Sequence, residues 1–367
     1  AVELLAVLAE RDVLGPACRL RHLREESLVR ALREVPGIAF VAGGRPVATA
    51  DRPYLKDLDE TDPAWDLLDW DDYVFYARPG ARLAIVSSSR GCSENCAFCS
   101  QQKFWKQSWR GRSPEAFVGE IEMLHKEYGV SIFFVSDEYP TKDRLRWERI
   151  LRLLMRARLP VWLLIETCVG DVIRDADILS LYREAGIVHM YVGVEATSQE
   201  TLDFFKKNAK AGQGREALRL LNEAGIVTET SFILGLPGES RESIKRTLAL
   251  AKEYDPDFAH FLLLAPWPYS DIWPETSPYV ATLDYSKYNL VEPVIEPEQM
   301  SREELLAAVI DCYRTFYRDK LPTWDGLRDT FKRKYCFDSI KAVIDHSFLK
   351  EHHGGLGDMP SEVEKYL

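Results

Sequence analysis

From about residue 82 the chain alternates six short apolar runs with five longer stretches of helical periodicity. The runs fall at 83–87, 131–136, 161–165, 189–194, 228–234 and 258–264. The periodic stretches fall at 114–128, 142–158, 175–185, 214–224 and 239–254. Alternation of this kind specifies an α/β chain with a parallel sheet. Local signals agree with it. Ser113-Pro114 sets a capping residue before proline, Ser240 precedes a charged first turn, and Gly186 and Gly225 follow helical stretches as C-terminal caps do. Six units are too few for a closed eight-stranded barrel. A partial (β/α)6 TIM-like barrel and an open doubly wound sheet both satisfy the pattern. In either, ligands bind at the C-terminal ends of the strands.

The flanks read differently. Residues 26–34 are helical, and 38–41 with 46–50 form a hairpin around Gly43-Gly44. Residues 51–72, rich in Asp, Pro and Trp, form an extended connector. Beyond Ser301 the pattern is helical again, over 302–319 and 330–349. The expected division is therefore 1–80, 81–275 and 276–367: an N-terminal connector, the barrel and a C-terminal helical extension. The formal net charge of −11 argues against nonspecific nucleic-acid binding, which needs a basic face. No stretch approaches the roughly 20 apolar residues of a membrane span, and Ala1-Val2-Glu3-Leu4-Leu5 lacks the basic start of a signal peptide. The expectation is a cytoplasmic protein with reduced thiols.

Chemistry concentrates directly after the first apolar run. Arg90-Gly91-Cys92-Ser93-Glu94-Asn95-Cys96-Ala97-Phe98-Cys99 spaces three cysteines as C-x3-C-x2-C. Three thiolates on one loop can hold three irons of a [4Fe–4S] cluster, which normally takes four cysteines. The iron left without a protein ligand is an open coordination site, the mark of a catalytic metal centre. A structural zinc site would need a fourth ligand, yet the next cysteine is Cys168 and no histidine sits at finger spacing. Seven cysteines, an odd number, in a chain without secretory context do not suggest disulfides.

This spacing resembles the signature of the radical S-adenosylmethionine (SAM) superfamily. The resemblance favours the partial barrel and implies two cofactors, a [4Fe–4S] cluster on Cys92, Cys96 and Cys99, and SAM chelated to the open iron. It also implies an electron donor such as reduced ferredoxin or flavodoxin. Residues for SAM follow one per β/α unit. Phe98 would lie beside the adenine. Asp137 and Glu138, in Ser136-Asp137-Glu138-Tyr139-Pro140, stand where many relatives carry Gly-Gly-Glu-Pro, and would meet the SAM amino group. Glu195 would bind a ribose hydroxyl or that ammonium. Ile233 and Gly235, in Ile233-Leu234-Gly235-Leu236-Pro237, would meet adenine through the backbone.

A closer resemblance rests on Cys99-Ser100-Gln101-Gln102-Lys103-Phe104-Trp105, Tyr182-Arg183-Glu184-Ala185-Gly186, Ala265-Pro266-Trp267-Pro268-Tyr269-Ser270-Asp271 and Lys332-Arg333-Lys334-Tyr335. These are similar to the anaerobic magnesium-protoporphyrin IX monomethyl ester oxidative cyclases, which are cobalamin-associated. That family closes the isocyclic ring of bacteriochlorophyll precursors, so the implied substrate is a large flat tetrapyrrole with carboxylate edges. Trp105, Trp109, Trp267 and Tyr269 are candidates for its face, and Lys103, Arg110 and Arg112 for its carboxylates. A related methyltransferase or hydroxylase stays open, as does an electron-carrying iron–sulfur protein. The family's Asp-x-His-x-x-Gly cobalamin motif is absent. Residues 1–50 resemble the end of its N-terminal cobalamin region, so the expectation is either a fragment or a lineage without that domain, with cobalamin use open.

Overall fold

A computed structural model describes residues 2–10, 25–61 and 63–346. The backbone separates into two units, Ala1–Lys56 and Asp57–Leu367. The first unit holds helices Val2–Glu10 and Glu25–Arg33, joined by burial of Leu8 and Ala31. It also holds the expected hairpin, in which Ala39–Ala42 pairs antiparallel with Arg45–Ala48.

The second unit is built on six parallel strands: β1 Arg82–Val86, β2 Val130–Val135, β3 Trp162–Cys168, β4 Ile187–Glu195, β5 Val227–Leu234 and β6 Phe258–Leu263. They lie in chain order across the sheet. That order decides between the two architectures. A doubly wound sheet reverses direction at a switch point. Here every crossover runs the same way, and the right-handed rule then puts the helices on one face of a curled half-barrel. The main helices are α1 Pro114–Tyr128, α2 Arg144–Ala157, α3 Leu179–Glu184, α4 Gln213–Glu223 and α5 Arg241–Tyr254. Ser113 caps α1 through a bond from the Ala116 N–H, and Pro114 fills the first turn.

Period-two alternation divides each strand between two environments. Phe133, Leu163, Ile165, Met190, Val192, Phe232 and Phe261 point outward and pack with helix residues such as Phe117, Ile121, Trp147, Ile150, Leu218 and Leu221. Fully burying side chains of this size stabilises by about 1.5–3 kcal/mol each. Their neighbours Ile85, Phe134, Glu166, Tyr191, Glu229 and His260 point the other way, into the concave lumen.

Two C-terminal helices, α6 Arg302–Asp325 and α7 Thr330–His346, complete the unit. An exposed sheet edge is a liability, and α6 covers that of β6. Tyr313 accepts from the Phe261 N–H at 3.1 Å, while Tyr317 accepts from the Ala259 N–H and donates to its carbonyl, both at 3.2 Å. At the opposite edge Leu83 donates to Tyr73 O at 2.9 Å. Helix α7 closes the base. Lys332 pairs with Asp257 at 2.7 Å, and Asp257 also accepts from the Thr228 N–H and hydroxyl.

Two local expectations need correction. The 175–185 stretch is a 3-10 turn, Ala176–Ile178, leading into α3, and an unforeseen helix, Val169–Arg174, precedes it. The 302–319 helix continues to Asp325 through Pro322. An interior proline costs roughly 3 kcal/mol, and the burial of Leu321 and Trp324 beyond it offsets that. The end of the 330–349 expectation lies outside the described residues.

Candidate active site

The three-cysteine loop leaves the C-terminal end of β1. Ser89–Arg90 pairs antiparallel with Arg110–Gly111, so residues 91–109 form a closed excursion at the mouth of the half-barrel. Gly91 opens it at φ +97°, and a Cβ there would lie 2.1 Å from Ser108 O, so no other residue fits. Gln102 donates to Cys96 O at 3.1 Å, Cys99 N–H donates to the same carbonyl at 3.1 Å, and Ala97 N–H donates to Phe205 O at 2.7 Å. These bonds fix the backbone rather than the thiols.

Burial pushes the Cys92 thiol up to about 11 and that of Cys96 up to about 12, and raises Cys99 as well. Three clustered thiols that resist ionisation are what metal coordination reverses, since a bound metal deprotonates its thiol ligands. Among the described residues no three His, Cys, Asp or Glu side chains converge closely enough for a single ion.

Two acids stand at strand ends near this loop, Glu138 just after β2 and Glu195 at the end of β4. Glu138 holds it directly, its Oε2 accepting from the Gly91 N–H at 3.1 Å and its Oε1 from Trp105 Nε1 at 2.8 Å. Glu195 ends β4 in the left-handed region at φ +63°. A non-glycine residue there is a strain more often found at functional sites than elsewhere. Its Oε1 lies 3.1 Å from Lys207 Nζ, and its Oε2 accepts from Ser231, which in turn contacts the Tyr191 hydroxyl at 2.5 Å. Gly193 leaves room for the pair: a Cβ there would approach Glu195 Oε1 to 2.5 Å. Burial disfavours the Lys207 charge, but Glu195 and Cys96 outweigh it and keep the ammonium protonated. Lys207 also lines a cavity of about 260 Å³ with Cys96, Tyr139, Cys168 and Asp171.

The remaining expected residues separate. Phe98 packs edge-on against Phe205 at 5.0 Å and shares one apolar cluster with Ile233. The Gly235 N–H is engaged by Glu239 at 3.0 Å, so it is not free for a ligand. Asp137 is 1% exposed, with its oxygens taken by Ser88 N–H, Ser88 Oγ and Ser89 Oγ. It anchors the segment leading into the cysteine loop rather than facing the lumen. Of the candidate cations, Lys103 pairs with Asp271 at 2.6 Å and Arg112 with Glu120. Arg110 lies over the Trp105 ring at 5.6 Å. Trp109 donates to Tyr139 O at 2.8 Å. Trp267 stacks on Tyr269 and Tyr285, both more than half exposed.

Sequence reasoning missed the lumen. Glu166 faces it with no side-chain hydrogen bond among the described residues, and burial with the nearby Glu229 raises its pKa to about 7. Glu229 accepts from His260 Nε2, and His189 Nε2 lies 2.9 Å from its other oxygen. The available signal was an acid at an inward position of an otherwise apolar run, in Leu163-Leu164-Ile165-Glu166 and in Val227-Thr228-Glu229. Lys207 gave no signal, since a loop lysine reads as solvated.

A half-barrel with three cysteines at its mouth defines a class, and comparison with known proteins agrees. Residues 86–251 match the radical SAM superfamily, and the chain belongs to it. It is 39% identical over 322 residues to the anaerobic magnesium-protoporphyrin IX monomethyl ester cyclase of Cereibacter sphaeroides, covering 87% of this chain and 52% of that protein. An uncharacterised methyltransferase of Pyrococcus horikoshii is 28% identical, covering 78% of this chain and 62% of that protein. The chain thus spans half to two thirds of the length of these relatives. Among solved structures, the cobalamin-dependent SAM radical enzyme OxsB with aqua-cobalamin and SAM bound superposes with a TM-score of 0.63 at 16% identity, over 89% of this chain and 55% of that one. That likeness is one of fold. Membership of the superfamily implies a [4Fe–4S] cluster and SAM.

Proposed function

We propose that this chain carries the radical-generating part of an anaerobic oxidative cyclase acting on a magnesium tetrapyrrole monoester. The observation that carries the reading is the three-cysteine loop at the barrel mouth in a chain 39% identical to such a cyclase. Cys92, Cys96 and Cys99 would hold the cluster, leaving one iron for SAM. When bound, cluster and SAM together supply a carbon radical that takes hydrogen from an unactivated carbon.

The chain's own residues do the rest. Glu138 fixes the loop through Gly91 and Trp105, and so sets the height of the thiols above the lumen. Glu195, held by Lys207 and Ser231, offers carboxylate oxygens to a ribose hydroxyl or an ammonium. Phe98 and Ile233 present an apolar wall for adenine. Glu166 is a lumen carboxyl able to take up a proton near neutral pH. No residue is assigned to cobalamin. The electron donor is a reduced ferredoxin or flavodoxin and the compartment is the cytoplasm; no described helix is long and apolar enough to cross a membrane.

The test is anaerobic reconstitution with iron and sulfide, reduction in the presence of SAM, and assay of 5′-deoxyadenosine with Cys96→Ala as control. Magnesium-protoporphyrin IX monomethyl ester is then supplied with and without cobalamin, and the products are weighed by mass spectrometry. Ring closure supports the cyclase. A product heavier by one methylene supports the second reading, a methyltransferase, which the Pyrococcus relative favours. SAM left intact by a fully loaded cluster overturns both.

A further inference from the structure

Two histidines flank one carboxylate on the concave face, and they are not equivalent. Glu229, on β5, accepts from His260 Nε2 of β6, and its other oxygen lies 2.9 Å from His189 Nε2 of β4. Burial opposes the Glu229 charge, but the two imidazoles outweigh it and hold the carboxyl well below its usual range. The second nitrogen of His189 is occupied, with Nδ1 2.9 Å from the Tyr335 hydroxyl of α7, and the residue is buried. Among the described residues the second nitrogen of His260 makes no hydrogen bond, and the side chain is 37% exposed. One imidazole is closed into the base of the fold, and the other is open.

A carboxylate behind Nε2–H fixes the tautomer of an imidazole that leaves the Nδ1 lone pair free. This is the support that metal-ligating histidines receive from their surroundings. The lumen around it is open and partly apolar. Ile85, on the inward face of β1, is 58% exposed, and Phe134 and Leu262 share its side of the sheet.

We infer that His260 is the axial ligand to the central magnesium of the tetrapyrrole, with Glu229 as the residue that positions it. The inference rests on the cyclase reading, since it needs a metal-bearing macrocycle in the lumen. A magnesium porphyrin is electrically neutral and its metal accepts a further ligand perpendicular to the ring. A neutral imidazole adds no charge to a buried complex. Glu166, another lumen group, would add an uncompensated negative charge when ionised. His260 therefore distinguishes the metallated substrate from its metal-free counterpart, which shares every other feature.

The experiment titrates the reconstituted protein, without reductant, with magnesium-protoporphyrin IX monomethyl ester and with metal-free protoporphyrin IX monomethyl ester, following the Soret band. The expected result is a preference of about tenfold or more for the magnesium form. His260→Ala should abolish that preference, leave metal-free binding unchanged, and regain magnesium-selective binding on addition of free imidazole. His260→Asn keeps a donor for Glu229 and carries the same comparison if the alanine variant does not fold. A merely structural histidine would weaken both porphyrins together and show no imidazole rescue, and that result overturns the inference. A wild-type protein that converts the substrate but shows no magnesium preference overturns it while sparing the cyclase reading. A wild-type protein that binds neither porphyrin overturns both.

Discussion

The half-barrel contains a buried lysine–carboxylate pair at each end, and the two are built to opposite specifications. At the base, Lys332 meets Asp257 at 2.7 Å and also donates to Asn222 and to Ile226 O, while Asp257 takes two donors from Thr228. Every group is satisfied. At the mouth, the Lys207 ammonium meets Glu195 at 3.1 Å and makes no other hydrogen bond among the described residues, although an ammonium has three donors. Glu195 sits at a strained φ, and the lysine borders a cavity beside Cys96. A saturated pair closes a fold. An under-satisfied one beside the cysteine loop leaves polar capacity unused.

Variants can break that contrast. The largest effect expected is from Lys332→Met at the base. It strands Asp257 as a buried charge and should cost about 3–5 kcal/mol, read as a lowered denaturation midpoint, without a specific effect on the cluster. Lys207→Met should cost less stability, since Glu195 keeps its bond from Ser231. It removes a positive charge beside Cys96, so the midpoint of the reconstituted cluster should fall in an EPR-monitored redox titration. Equal stability losses in the two variants would remove the distinction drawn between the ends.

Glu166→Gln probes the lumen between them. The Glu166 carboxyl has a folded pKa of about 7, above its unfolded value. Its favourable contribution is therefore complete at low pH and is lost as pH rises through neutrality. The variant should match wild type near pH 4 and be more stable at pH 8, by roughly 1–3 kcal/mol. A stability difference that does not change with pH would mean that Glu166 is solvated. The smallest effect expected is from Tyr313→Phe, which removes the acceptor for the Phe261 N–H at the β6 edge and should cost about 1 kcal/mol with SAM cleavage intact.

Most of the barrel was legible in the chain because its signals are local. Strand runs and helix periods follow from side-chain spacing, and caps such as Ser113 and Ser240 act within a single turn. The Val169–Arg174 helix was not legible. It starts straight from β3 with no capping side chain at Cys168 and is held by tertiary packing. The continuation of α6 past Pro322 depends in the same way on Leu321 and Trp324 finding the base. Glu138 and Glu195 were found because strand ends are a place to look. Lys207, Glu166 and the Glu229–His260 pair were missed because their meaning lies in partners 12 to 63 residues away or on other strands.

The sequence alone determined the six-fold alternation, the position of the cysteine loop after the first strand, and hence the radical SAM character, because each depends on residues close together in the chain. Only the tertiary structure decided which way the strands were ordered, which acids face the lumen, and that Lys207 is buried beside Cys96. Those outcomes depend on burial and on charge pairing across the sheet, and neither exists until the half-barrel has closed around them.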